Sequence, residues 1–224
     1  MPSTVVHVAF AFAIAAALLG DYYDRRALGV VLVVLVAPEL DTVAGLWLPG
    51  AHRALGHTVV VPAAVGILLA YDTLLREESA LRGRVGDRGV HLAWVGLFVH
   101  LTAHLLLDYA HLDGINVFYP LVDRFVRLEG EAYLAGEGFV QTFVEIERGE
   151  TGTTVDAGGG GTTADTHVSS PVDPGEHLQS EDPEEPVDRR FPIAVRGWQA
   201  YLVVLGLFTL AARWLQGERP AADE

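Results

Sequence analysis

The 224-residue chain contains no cysteine and no lysine, and all fifteen of its basic residues are arginine. Without thiols there is no disulfide framework and no thiolate metal site, so any metal must be held by histidine and carboxylate. The formal charge is -14, from 29 Asp and Glu against those fifteen Arg. Phosphate backbones are bound by Lys and Arg clustered on one face, and this balance argues against a nucleic-acid partner. Acidic composition without lysine resembles that of proteins from salt-loving archaea, whose carboxylates hold water at high ionic strength. High-GC coding, which replaces Lys by Arg, produces the same signal.

What the chain does have is apolar length. Half of its residues are hydrophobic and the mean hydropathy is positive, which favours a polytopic membrane protein over a soluble domain. Apolar segments lie at 4–19, 27–48, 54–75, 91–111 and 193–215. Roughly 20 helical residues cross the ~30 Å of hydrocarbon, so each is a candidate span, the first being short. Trp198, Tyr201 and Trp214 sit near the ends of the fifth segment as an aromatic belt would. The first segment lacks a basic lead-in and an A-x-A cleavage site, and is expected to be a retained helix rather than a signal peptide.

The expected fold is all-α, a membrane helix bundle of about five transmembrane helices with a disordered acidic extramembrane linker. Residues 1–122 form the four-helix membrane domain, 123–148 an interfacial segment, 149–190 the linker, and 191–224 the fifth helix and tail. The linker reading rests on composition: "DAGGGGTTADT" and "SEDPEEPVD" offer too little apolar surface to offset ordering entropy. His167 and His177 within it are expected to be solvated bystanders.

Ligand-type residues interrupt the apolar runs. In "HLTAHLLLDYAH", His100, His104 and Asp108 recur at i, i+4 and i+8 and share one helix face. In "APELDTVAGLWLPGAHRALGHTV", Pro38 removes a backbone donor beside Glu39 and Asp41, and His52 and His57 lie on the loop that leads into the third segment. Pro38 therefore predicts a kink or an unwound turn. With the N-terminus outside, His7, Glu39, Asp41, His57 and Asp108 all fall toward the outer membrane face. Intramembrane ionisable groups are costly and mark function by default.

The order His7, Pro38-Glu39-Leu40-Asp41, His52-Arg53 with His57-Thr58, His104 to Asp108, Gly114 and Tyr119-Pro120 resembles the LexA-binding, inner-membrane-associated metal-dependent hydrolase family (YdjM-like), over residues 1 to about 122. The lysine-free acidic composition would make it a haloarchaeal member. Its pattern is an N-terminal Thr-His, P-D-x-D, H-R-G-x-T-H-S, and H-x-x-x-D followed by Gly and an aromatic-Pro pair. Here Glu39 replaces the first Asp, Val6 precedes His7, and Gly56-His57-Thr58 stands for T-H-S. The resemblance implies a membrane-embedded metal-dependent hydrolase, with His7, Glu39, Asp41, His57, His104 and Asp108 as metal ligands.

Imidazole and carboxylate donors suit a divalent ion, zinc or manganese foremost. Such a metal would activate water, with His52 as acid or base and Arg53 as a clamp for phosphate or carboxylate. Besides the lipid bilayer, the expected partner is a phosphoester or lipid-linked substrate. Two other classes fit the same residues: an ion or proton-coupled carrier, and a non-catalytic scaffold with a structural metal.

Arg25 and Arg26, then Arg76, Arg82, Arg84 and Arg88, then Arg213 and Arg219 fall on one side of the spans, against Arg53 alone in the short loop opposite. The positive-inside rule then places the N-terminus outside. Single cysteines introduced at Ser3 and Gly83 should accordingly be labelled from opposite sides of the membrane; labelling from one side would reject this topology.

Overall fold

The computed structural model describes residues 3–48, 50–111, 114–136, 138–149, 152–156, 158–166 and 193–216. The chain is mostly helical and divides into two compact units. One comprises Glu39–Thr58 and Asp108–Arg189 (with residue 1), the other Pro2–Pro38, Val59–Leu107 and Arg190–Glu224.

The second unit is the helical one. Helix α1 runs Thr4–Leu18, α2 Arg25–Val36, α4 Val60–Ala70, α5 Ala80–Val99 and α7 Gly197–Leu215. The starts of α2 and α5 are set by side-chain caps: Asp24 accepts from the Ala27 amide at 2.8 Å and Ser79 from the Arg82 amide at 3.0 Å, each satisfying an orphan donor. Its core is built by one device used three times. Ala11, Ala15 and Leu19 follow one another at i+4, as do Ala27, Val31 and Leu35, and Val95, Val99 and Ala103. Each triplet is a stripe on one helix face, and small residues let the backbones approach.

The outward faces are the reverse of a soluble protein's. Val33, Ile67, Leu68, Leu207 and Phe208 are all exposed, the last at 71%. Large apolar side chains arrayed on helix exteriors are satisfied by lipid, not by water. Among the described residues three helices are long and apolar enough to cross a membrane, Arg25–Gly45, Ala80–Tyr109 and Gly197–Leu215, and Thr4–Leu18 and Val60–Leu75 are shorter apolar helices. The five apolar helices match the number read from sequence, and this is a multi-pass membrane protein.

The first unit begins at the Pro38 interruption. Helix α2 does not unwind there: it tightens into a 3₁₀ turn, Ala37–Leu40, before the short helix α3, Asp41–Gly45. A 3₁₀ turn accommodates the missing amide while keeping the span continuous. Helix α6, Leu106–Tyr109, leads into a polar segment where two antiparallel hairpins form, β1 (Ala132–Ala135) with β2 (Gly138–Gln141), and β3 (Glu145–Gly149) with β4 (Gly152–Asp156). Residues 152–156 are strand, and 158–166 are sewn onto the segment before them by Phe125 N–H to Gly161 O, Gly160 N–H to Phe125 O and Thr163 Oγ1 to Asp123. Backbone hydrogen bonds, invisible to a composition argument, supply the order. His167 and His177 lie outside the described residues.

Helix α7 meets α1 with no side chain between them at Gly206. A Cβ there would stand 2.4 Å from the Ala9 carbonyl oxygen, so the approach requires glycine. Gly206→Val should lower thermal stability in detergent by roughly 1–3 kcal/mol through overpacking, whereas Leu207→Val on the exposed face should leave it nearly unchanged; equal effects would mean that the α1–α7 contact does not form.

Candidate functional site

The polar centre of the first unit is built around Asp41. Opening the short helix α3, it is buried and accepts four donors. His52 Nδ1 reaches Oδ1 at 2.8 Å; His57 Nδ1 at 2.8 Å, the Gly56 amide at 3.0 Å and the Arg53 amide at 3.1 Å reach Oδ2. Both oxygens are thereby occupied by the loop between Leu46 and Val59. That loop cannot close without them, since its amides would otherwise be buried and unsatisfied.

Since a carboxylate only accepts, the ring nitrogens facing Asp41 must carry the protons. In a neutral His52 or His57 the lone pair is then on Nε2. For His52, Nε2 is buried without a hydrogen-bond partner among the described residues, and Thr42 Oγ1 lies 2.9 Å from its Nδ1. For His57, Nε2 lies 3.3 Å from Asp108 Oδ2. One oxygen of Glu39 is within 4.8 Å of a His57 ring nitrogen.

Arg53 is fully buried. Its guanidinium donates to the Gly114 carbonyl at 2.9 Å and to Asp108 Oδ1 at 3.1 Å. Its backbone takes the left-handed conformation, φ 62°, and its carbonyl accepts from the Asn116 amide at 2.9 Å. Here the arginine positions Asp108: one carboxylate oxygen is tied to the guanidinium and the other is turned toward His57. Gly114, φ 66°, makes this possible, because a Cβ would stand 2.2 Å from the Val126 carbonyl oxygen. Thr58 Oγ1 fastens the far end of the loop to the carbonyls of Val117 and Tyr119. Sequence reasoning passed over Thr42, since a hydroxyl carries no spacing signal that would reveal it, and it placed Thr58 in the motif without the clasp it forms.

In the helical unit His7 and His104 are both fully buried. Their rings stack at 4.8 Å between centroids, and His100 stacks on His104 at 5.6 Å. His100 and His104 lie in a π-helical turn, His100–Leu105, and such turns recur at functional sites. His7 Nδ1 donates to the Ala103 carbonyl at 2.7 Å, so Nε2 of a neutral His7 bears the lone pair. A ring nitrogen of His7 and one of His104 are within 4.8 Å of each other. Buried His, Asp and Glu groups of this kind could hold a metal ion. Two tautomers fixed from behind by a carboxylate or carbonyl are the usual orientation of metal-binding imidazoles.

Burial alone would depress His57, but hydrogen bonds and charge from Asp108 and Asp41 outweigh it and push its pKa up from 6.5 to about 9. In the metal-free protein the folded state therefore holds this proton more tightly than the unfolded state. The sign follows: this contribution to stability is fully present below 6.5 and is lost as pH rises through about 9. Thermal unfolding of metal-free protein in detergent should show that decline, and His57→Gln should flatten it; an unchanged slope in the variant would assign the decline to another group.

A model of the YdjM inner membrane protein family matches residues 1–155, which include every element of the site just described. No curated protein and no solved structure matches the chain. With well over half of the chain matched and its apolar helices suited to a bilayer, the protein belongs to the YdjM inner membrane protein family.

Proposed function

We propose that this protein is a membrane-embedded, metal-dependent hydrolase, acting on a phosphoester or lipid-linked substrate. The observation that carries the reading is the 3.3 Å separation of His57 Nε2 and Asp108 Oδ2, both side chains fully buried. Two donors bound to one tetrahedral ion at about 2.1 Å stand about 3.4 Å apart, so this pair is spaced as an edge of such a site. Glu39, His7 and His104 are proposed as further ligands on the strength of the sequence pattern they share with His57 and Asp108. Zinc or manganese suits this donor set.

Such an ion, when bound, supplies a water of lowered pKa and polarises the bond to be cleaved. The chain's residues do the rest. Asp41 holds His57 and His52 in one tautomer each, with Nε2 presented. Arg53 fixes Asp108 and balances its charge without occupying the oxygen that faces His57. His52 Nε2, buried and oriented by Asp41 behind it, is the nitrogen that takes or returns a proton. The apolar surroundings exclude bulk water, which strengthens each of these interactions.

Metal analysis of the purified chain, paired with turnover of a phosphodiester and of a phospholipid, tests the reading. Stoichiometric metal with turnover is expected. Asp108→Asn and His104→Ala should each abolish stoichiometric binding. Asp41→Asn, which removes the group behind His57 and His52, should weaken metal affinity by roughly 10–100-fold. His52→Ala should keep the metal and lose turnover, and His167→Ala should change neither. Metal without turnover on any ester would favour a structural metal in a scaffold; absence of metal with ion-dependent transport would favour a carrier.

A further inference from the structure

At the end of the helical unit where α1 hands over to α2, a cleft of about 900 Å³ opens. Arg25, Arg213, Tyr23 and Trp214 line it, together with Asp21 and Asp24. A second, apolar groove of about 280 Å³ runs between α1 and α7, lined by Val5, Val8, Phe12, Val203 and Leu207. Leu210 lines both, so one face of α7 carries an apolar track that ends at a polar cleft. From these features we propose a binding site for a phospholipid with an anionic headgroup, its phosphate at Arg25 and Arg213 and an acyl chain along α1 and α7. The proposal is independent of the hydrolase reading.

The charges decide the headgroup. Asp24 is already committed, capping α2 through the Ala27 amide and pairing with Arg88 at 2.6 Å. Arg213 is held without being neutralised: it donates to the Gly20 carbonyl at 3.1 Å and lies 4.4 Å from the centre of the Tyr23 ring. Its Nε is buried with no hydrogen-bond partner among the described residues. Arg25 is exposed. Two arginines thus face the cleft against Asp21 alone, an excess of positive charge. Basic pockets between transmembrane helices on the arginine-rich side are where anionic headgroups bind.

The groove decides that the anion is attached to a lipid. From Val203 to Trp214 the α7 face extends about 16 Å at 1.5 Å per residue, enough to accept a length of acyl chain. Gly206 keeps the track shallow and continuous, since it seats α7 directly on the α1 backbone at Ala9. A free anion would have no use for this surface, and a zwitterionic lipid gains less from the arginines because its headgroup cation opposes them. Trp214, amphipathic and exposed, suits the boundary between the two.

Full-length protein in neutral detergent, titrated with phosphatidylglycerol or phosphatidylcholine and read by native mass spectrometry, tests this. Phosphatidylglycerol should be retained roughly 25-fold more tightly, about fivefold from each arginine. Because each arginine near an anionic group is worth about a factor of five, Arg25→Gln should reduce that preference about fivefold and Arg25→Lys should restore most of it. Arg25 is exposed, so this variant does not depend on refolding. Arg213→Gln combined with it should abolish the preference, and Leu207→Trp should weaken both lipids alike. Equal retention of the two lipids, an Arg25→Gln variant indistinguishable from wild type, or displacement of phosphatidylglycerol by inorganic phosphate would each overturn the proposal.

Discussion

Asp41 is the group on which the first unit depends. A carboxylate removed from water carries a desolvation cost of several kcal/mol, and it persists in its charged form only where donors surround it. Two imidazoles and two backbone amides, all from the loop of residues 52–57, meet that demand at 2.8–3.1 Å. The requirement works in both directions, because the same loop would leave amides and ring nitrogens buried without an acceptor if Asp41 were absent. Removing one partner of such a buried network typically costs about 3–5 kcal/mol. The loop is therefore folded by the charge that it solvates.

The network then propagates outward. His57 carries the influence of Asp41 through its ring to Asp108, and Arg53 approaches Asp108 from its other oxygen while spending a second N–H on the Gly114 carbonyl. Arginine suits this place better than lysine, since a planar fork can satisfy a carboxylate and a carbonyl together. The left-handed backbone at Arg53 is the local cost of bringing these groups into register, whereas Gly114 adopts the same conformation freely. Strain of this kind survives where surrounding hydrogen bonds over-determine it, and Arg53 is bonded through both main chain and side chain.

The helical unit solves a different problem. In lipid, apolar burial drives no helix together, and close packing between small residues must do so. The Ala-rich stripe of α1 and the bare backbone at Gly206 allow that approach. Its arginines gather where α1, α2, α5 and α7 end, held by Arg88 to Asp24, Arg213 to Gly20 and His91 to the Leu18 carbonyl. One end of the unit is thereby polar and bonded, while its flanks remain apolar, the division that a bilayer imposes.

Much of this was legible before any coordinates. Helix number followed from apolar run length, because about 20 residues is a property of the bilayer and not of the fold. The importance of Asp41, His57, Arg53 and Asp108 followed from the cost of charge within apolar sequence, which holds whatever the partners are. What those partners are was decided by tertiary structure. Residues 11 to 16 positions apart, and 51 or 55 apart for His57 and Arg53 with Asp108, have no periodicity that betrays a contact. Arg53 is one such case, its guanidinium reaching the Gly114 carbonyl and the Asp108 carboxylate. The strands at 132–156 were hidden for the same reason, since they are held by paired backbone groups that every residue except proline possesses. Sequence alone determined which groups could not be left alone in lipid; only the folded chain determined which of them answer one another.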